Sequence, residues 1–253
     1  MQNKDLGFNM DQVLVIKSPK IAKNLKLNLY DSTYYVRVDF FKKELLREVN
    51  IHYFSRSSNI PGRTFQKANT FKKKEQNTED GTMAYNIYID EDYLEAYEIE
   101  LIAGRNFSKN MASDKEAVIV NEMVVEQLGY KSPHDAIGQM ATMSRGGLTN
   151  VRFIGVTKNI NSQSLAHKQS PMIFAYVVDI KSGRPWGDAN YYSLKIKTED
   201  LSQTIIKAEN TFKEIFPNDP FEYFFLDDHF NEQYKADQQF GKILEYSPHW
   251  QSS

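Results

Sequence analysis

The chain has no cysteine among its 253 residues, and that absence removes thiol nucleophiles, thiolate zinc sites and disulfides together. It suits an envelope compartment, where stray thiols are a liability. Histidine is scarce as well. His52, His134, His167, His229 and His249 are the five present, no two stand three or four apart, and no His-Glu-x-x-His helix can be drawn. Glycine-rich signatures are missing: there is no Walker loop, no Gly-x-Gly-x-x-Gly fingerprint and no Gly-x-Ser-x-Gly elbow. The single glycine pair, in Ser144-Arg145-Gly146-Gly147, falls where a hairpin tip belongs. Long apolar runs are absent too. The longest, 172–178 (MIFAYVV), is far short of the roughly 20 residues that cross a bilayer. Residues 1–10 are polar and lack the apolar core of a signal peptide. Neither sign of charge dominates: Lys+Arg is 31, Asp+Glu is 33, and the net charge of -2 gives no overall pull toward nucleic acid or acidic lipid. The run Lys72-Lys73-Lys74 is answered by Glu75, Glu79 and Asp80, and reads as a solvated hairpin tip.

Aromatics are what the chain has in quantity, with 15 Tyr and 16 Phe, which suits a packed core and half-exposed strands. Residues 12–17 (QVLVIK) read as a strand. Asp31-Ser32 supplies a helix N-cap, and Tyr35, Val38, Phe41, Leu45 and Val49 follow at helical spacing. Alternating strands are expected over 49–55 and 83–89, with a turn at Ile60-Pro61-Gly62-Arg63 between them. A short helix over 90–97, a buried strand over 117–121 and a helix over 122–128 stopped by Gly129 come next. Further strands are expected over 151–156, 172–178, 191–196 and 221–226. Asp200, with Gln203 in the reciprocal position, predicts a capping box. The helix it opens carries Leu201, Ile205, Ala208, Phe212, Ile215 and Phe216, and Pro217 ends it. Asp228 opens a last helix with Phe230, Tyr234, Phe240, Ile243 and Leu244. The tail 246–253 reads as an appended or frayed end.

Both ends of the chain pair an amphipathic helix with a strand, while the middle is richer in short strands. The expected fold class is therefore α+β: a discontinuous α+β subdomain from residues 1–85 and 195–245, with a smaller β-rich subdomain, residues 86–194, inserted in it. Candidate chemistry is thin. Asp90-Glu91-Asp92 and Asp227-Asp228 lie at predicted helix starts, where carboxylates favour the helix dipole without any catalytic part. Asp227-Asp228-His229 is a weak metal candidate, better read as a cap beside an exposed histidine. Asn106-Phe107-Ser108 matches a glycosylation triplet too common to count. No catalytic, cofactor-binding or metal-ligating residue is nominated, and an enzyme is not expected.

A series of turn motifs, in their order, resembles one family. They are Asn3-Lys4-Asp5-Leu6-Gly7-Phe8-Asn9; Ser57-Ser58-Asn59-Ile60-Pro61-Gly62; Asp92-Tyr93; Ala103-Gly104-Arg105-Asn106-Phe107-Ser108; Asp114; and Ala117-Val118-Ile119-Val120-Asn121-Glu122. Leu128-Gly129, Ala136-Ile137-Gly138, Ile154-Gly155-Val156, Ser164-Leu165, Phe216-Pro217, Pro220-Phe221-Glu222-Tyr223 and Tyr234 continue the series. Together they look like the extracytoplasmic segment of FtsX-like, MacB-type ABC transporter permeases from Bacteroidota, over about residues 3 to 244. Each motif is a turn or packing residue, a marker of fold and not of catalysis.

The resemblance implies a porter-like α+β unit carrying a smaller β-rich insert. It also implies membrane helices on either side of the segment, a periplasmic place on an inner-membrane protein, and a cytoplasmic ABC ATPase as partner. A further periplasmic or outer-membrane partner and a dimeric parent are implied as well, the isolated domain being monomeric. The competing expectation is a ligand- or peptide-sensing module. An apolar groove at the subdomain junction would favour cargo binding, and a flat polar insert would favour protein partners.

Overall fold

The computed structural model describes residues 6–20, 23–24, 29–30, 32–63, 65, 68–74, 81–144, 148–160, 169–177, 189–197, 199–232 and 235. The expected cap Asp31, the hairpin tip 145–147, Asn3 to Asp5, Ser164-Leu165, Tyr234, Phe240, Ile243, Leu244 and the tail 246–253 lie outside the described residues.

In chain order the elements are β1 (Val13–Lys17), β2 (Lys23–Asn24), β3 (Leu29–Tyr30), α1 (Ser32–Leu45), β4 (Ile51–Ser57), β5 (Ala68–Lys73) and β6 (Thr82–Ile89). The middle continues with α2 (Tyr93–Ala96), β7 (Leu101–Gly104), a 3-10 turn Ala112–Glu116, β8 (Ala117–Asn121), α3 (Glu122–Gln127), α4 (Pro133–Ala136), β9 (Met140–Ser144), β10 (Leu148–Thr157) and β11 (Met172–Tyr176). The chain closes with β12 (Tyr191–Ile196), α5 (Leu201–Ile215) and β13 (Tyr223–Phe225), followed by a helical turn at 226–232.

All the strands but β2 and β3 belong to one hydrogen-bonded system that divides at a single bridge, Ser57↔Ile89 between β4 and β6. On one side the order is β4-β12-β1-β13, antiparallel throughout. On the other side β6-β11-β8-β10-β9-β5 returns to β6, because β11 pairs with β6 in parallel; six strands close into a barrel. Closure removes the free edges an open sheet would present. The two ends of the chain build the open sheet and the middle builds the barrel. The expected boundaries after residues 85 and 194 fall inside β6 and β12, and β5 stands with the barrel rather than with the ends.

The period-two pattern explains both layers. Alternate barrel residues, among them Phe71, Tyr88, Val120, Met143, Phe153 and Ile173, join one buried cluster that α3 extends with Val124, Val125 and Leu128. The intervening residues Ile87, Ile89, Ile119, Met172 and Phe174 join a second cluster with Val13 and Val15 of β1 and Tyr93 and Tyr97 of α2. That second core spans the bridge between the sheets. β1 is buried on both faces, Leu14 and Ile16 turning instead to a third core beneath α1 and α5, which is why its sequence is an unbroken apolar run.

The third core is centred on Phe41, whose ring meets Phe54 and Phe212 at 5.7 Å each and Phe216 at 5.9 Å. α1 packs against α5 with Tyr35, Val38, Phe41 and Leu45 inward, as the spacing predicts. Val49, expected in that stripe, lies past the end of the helix and is exposed. α5 ends at Ile215, one residue before the expected Phe216, and its start differs as well. Asp200 sits at φ 53 in the left-handed region and its side chain makes no cap bond. Its backbone carbonyl does the work, accepting from the Thr204 N–H at 3.0 Å and the Thr204 hydroxyl at 3.3 Å.

The turn motifs earn their sequence by close approach. Gly104 (φ 76) and Gly155 face each other where β7 crosses β10, and a Cβ on Gly104 would stand 2.2 Å from the Ile154 carbonyl oxygen. Gly62 (φ 87) closes the turn after Ile60-Pro61, and a Cβ there would meet the Phe230 ring at 2.8 Å. Asn121 accepts from the Val124 N–H at the start of α3 and from the Met172 N–H at 3.0 Å, so one side chain fastens β8, α3 and β11. Lys72 and Lys73 lie in β5, not at a tip, and the Lys73 ammonium stands 4.1 Å over the Tyr130 ring.

Candidate functional site

The bridge between the sheets is where charge collects. The strand face of β4 and β12 turned toward α2 carries Ser55, Ser57 and Ser193, all buried, and such small side chains let α2 lie close. Ser193 and the Tyr97 hydroxyl share a hydrogen bond of 2.6 Å. Asp90, which follows the bridging Ile89, is wholly buried and accepts from the Ser55 hydroxyl and the Arg56 N–H at 2.8 Å each. The Lys42 ammonium at the end of α1 stands 3.5 Å from Asp90 and 2.5 Å from Asp92, and the Arg56 Nε stands 3.8 Å from Asp90. The Tyr176 hydroxyl donates to Glu91 at 2.8 Å.

Asp90-Glu91-Asp92 does precede a helix, Asp92 being the N-cap of α2, but its carboxylates are used chiefly elsewhere. Asp92 makes no side-chain cap bond to α2, its carboxylate and that of Asp90 being turned to Lys42, 50 and 48 positions away in the chain. The expected last helix is present but begins at residue 226, which puts Asp227 and Asp228 inside its first turn, and Asp227 accepts from the Asp228 N–H at 2.8 Å.

Burial acts unequally on these charges. It pushes Asp90 up to about 6 even against the attraction of Lys42 and Arg56. Burial also opposes the Lys42 and Arg56 charges, yet Asp90 and its acidic neighbours outweigh it and raise both above their ordinary values. The partners differ because the Asp90 side chain is 0% exposed whereas Lys42 keeps 16%. Glu91 is held below its usual range: burial works upward, but Lys42 and the Tyr176 hydroxyl prevail.

Beside this cluster opens a cleft of about 710 Å³. Asp39, Lys42, Lys43 and Leu46 of α1 and its end, with Arg56 of β4, form one wall. The loop Lys109, Asn110, Met111, Ala112 and Lys115, with Tyr176 and Val177, forms the other, and Glu91 lies between. The loop is held in shape from within. Arg105 grips buried Asp114 at 2.6 and 2.8 Å, the Ser108 N–H donates to the same carboxylate at 2.9 Å, and Phe107 stacks on Tyr176 at 5.0 Å. Burial opposes the Asp114 charge, and the Arg105 and Ser108 bonds overcome it to hold the carboxyl below its ordinary range. The Asn106 amide donates to the Glu91 carbonyl at 2.8 Å and fastens the loop to the charge cluster.

Sequence reasoning read Arg105, Asn106, Phe107, Ser108 and Asp114 as fold markers, and the structure gives each of them a packing or bonding task. It missed the union of Lys42, Arg56 and Asp90, which no spacing in the chain announces. The junction is charged and not the apolar groove expected of an apolar-cargo binder. Among the described residues no group of three or more His, Asp or Glu could hold a metal ion, and no helix is long and apolar enough to cross a membrane.

No protein-family profile matches the chain, and no curated protein matches it in sequence. Solved structures do share its fold. The periplasmic region of MacB from Actinobacillus actinomycetemcomitans superposes with a TM-score of 0.57 at 10% identity, covering 98% of this chain and 99% of that one. The extracellular domain of the noncanonical ABC-type transporter YknZ from Gram-positive bacteria gives 0.53 at 17% identity, over 83% of this chain and 97% of the other. A domain of a permease protein from Porphyromonas gingivalis gives 0.52 at 10% identity, over 85% and 90%. The chain thus has the mixed α/β fold of the extracytoplasmic domains of such permeases.

Proposed function

We propose that this chain is the extracytoplasmic domain of a MacB/FtsX-type ABC transporter permease in the inner membrane. Its work is to pass motion between a cytoplasmic ATPase and a substrate or partner outside. The observation that carries the reading is the fold shared with the MacB periplasmic region over nearly the whole of both chains. The turn motifs of the sequence support it.

The geometry suits a transmitter. β1 and β13 are neighbours, with Leu14 opposite Phe225, and the Phe8 and Phe230 rings are 6.2 Å apart. Membrane helices joined at either end would enter side by side into the same open sheet. We read that sheet, with α1 and α5, as the porter-like subdomain and the barrel as the inserted one, their joint at the Ser57↔Ile89 bridge. Motion of the membrane helices would turn one about the other, with Lys42, Arg56 and Asp90 as the clasp. The ATPase is reached through the parent's membrane helices, the parent is a dimer, the isolated domain is a monomer, and the barrel offers a surface for a periplasmic or outer-membrane partner.

The test is made in the parent protein with its ATPase. Spin labels at Lys20 in the sheet subdomain and Lys131 near α4 should change separation during ATP turnover. A distance distribution that stays the same with and without ATP turnover would sink the transmission reading. Apolar runs of about 20 residues should adjoin the segment in the parental reading frame, and polar flanks would remove the permease reading.

A further inference from the structure

We infer that the cleft between α1 and the Lys109–Lys115 loop is a binding site for a small anionic amphiphile, a phosphate or carboxylate on a short apolar stem. Its lining counts five cations, Lys42, Lys43, Arg56, Lys109 and Lys115, against two carboxylates, Asp39 and Glu91. Lys42 and Arg56 are committed to Asp90 and its neighbours. Lys43, Lys109 and Lys115 are exposed and have no carboxylate partner among the described residues. They come from separate elements, α1 and the loop, and a counter-charge placed between them would relieve the repulsion that water and salt leave unscreened.

The Arg56 Nε makes no hydrogen bond and stands 3.8 Å from Asp90, so Arg56 adds positive charge to the lining but no free donor. The other half of the ligand follows from the rim. Leu46 and Met111 are 40% and 45% exposed, large apolar side chains facing the cleft from the two walls, with Val177 beside them. A volume of about 710 Å³ lies in the range of sites for small molecules. The Arg105–Asp114 pair and the Phe107–Tyr176 stack fix the second wall, so the site is built and not merely a gap between side chains. Since the walls belong to the two sides of the bridge, an occupant would tie them together. This site stands independently of the permease reading, because binding is a property of the 253-residue chain alone.

The test is calorimetric titration of that chain with monomeric dodecyl phosphate, inorganic phosphate and dodecyltrimethylammonium. Saturable one-to-one binding of dodecyl phosphate is expected, at least several-fold tighter than inorganic phosphate and weakening with salt. The triple variant Lys43→Glu, Lys109→Glu, Lys115→Glu should lose about tenfold or more in affinity. Lys20→Glu, Lys131→Glu and Lys197→Glu together make the same charge change elsewhere and should leave binding unchanged. Leu46→Ser with Met111→Ser should weaken dodecyl phosphate several-fold and inorganic phosphate not at all. Binding that survives the cleft triple variant, falls equally in the control triple, or is matched by the alkylammonium or by inorganic phosphate would overturn the proposal. Vesicles of phosphatidylglycerol distinguish the source: retention of the wild type but not of the cleft variant assigns a lipid headgroup, and monomer binding without it assigns a free molecule.

Discussion

At the scale of single residues, Asp90 is the most exposed to chemistry despite being the least exposed to water. Its carboxyl is raised in the folded state from the ordinary value of 3.8 to about 6. The sign follows from linkage: the folded form holds the proton more tightly, so Asp90 favours folding below about pH 4 and that contribution is lost as pH rises through about 6. Two units correspond to about 3 kcal/mol. Urea denaturation of Asp90→Asn should therefore be flatter with pH, wild type losing about 2 of those 3 kcal/mol relative to the variant between pH 4 and pH 6. A difference of zero slope would mean that Lys42 and Arg56 fully compensate the buried charge. Asp114 has the opposite sense: its depressed carboxyl contributes stability present above its ordinary value and lost as pH falls. Asp114→Ala should cost about 2 kcal/mol, since its partner Arg105 is partly exposed and can be rehydrated. Hydrogen exchange should quicken selectively over residues 105–116 in that variant, and uniform exchange would argue against a local clamp.

Among the elements, the helices show how pattern and context divide the work. The stripe of α1 is legible because its inward positions repeat at helical spacing, and Phe41 at its centre meets aromatic rings from β4, β12 and α5. Phe41→Ala should lower unfolding free energy by about 3–5 kcal/mol, as fully buried aromatic truncations do, which chemical denaturation measures directly. The start of α5 was legible in composition but not in conformation. A capping Asp takes an extended backbone, whereas Asp200 stands at φ 53, where a side chain is disfavoured. Asp200→Gly should therefore stabilise by up to about 1 kcal/mol and raise the melting temperature by a few degrees. A true side-chain cap would respond with a loss. β1 reads as a strand from its unbroken apolar run and β12 from its alternation, whereas β5, β7 and β9 were not expected from sequence, and no strand's neighbours were legible.

For the whole molecule, the decisive fact is that one core crosses the single-bridge joint. Val13 and Val15 of the open sheet share a cluster with Ile87, Ile119 and Phe174 of the barrel and with Tyr93 and Tyr97 of α2. Thermal or urea unfolding should accordingly be one cooperative transition, with far-ultraviolet dichroism and tyrosine fluorescence coincident. Separate transitions would show that the barrel and the sheet subdomain fold independently of that shared core. The same arrangement limits motion to small rotations about the joint, since a large opening would expose that core to water. The cleft is lined by residues from both sides of the joint, Arg56 of β4 and Tyr176 of β11 among them.

The sequence alone determined the class of the elements with a clear burial pattern, among them β1, α1, β8, β11, β12 and α5, because hydrophobic periodicity is a local record of which face is buried. It also supplied the turn residues: Gly104, Gly155 and Gly62 stand where a Cβ would strike a neighbour, and Asn121 where one side chain must hold three segments. What the tertiary structure decided was adjacency across distance. That β11 returns to β6 and closes a barrel, that β5 belongs with it, and that Asp90 meets Lys42 are pairings between segments whose own patterns are silent about partners. The charged cleft has the same origin. Lys43, Lys109 and Lys115 each look like an ordinary solvated lysine in the chain, and only the packing of α1 opposite the loop sets them around a common space. Burial patterns are written residue by residue, whereas an electrostatic site is a sum over residues whose separations the fold alone provides.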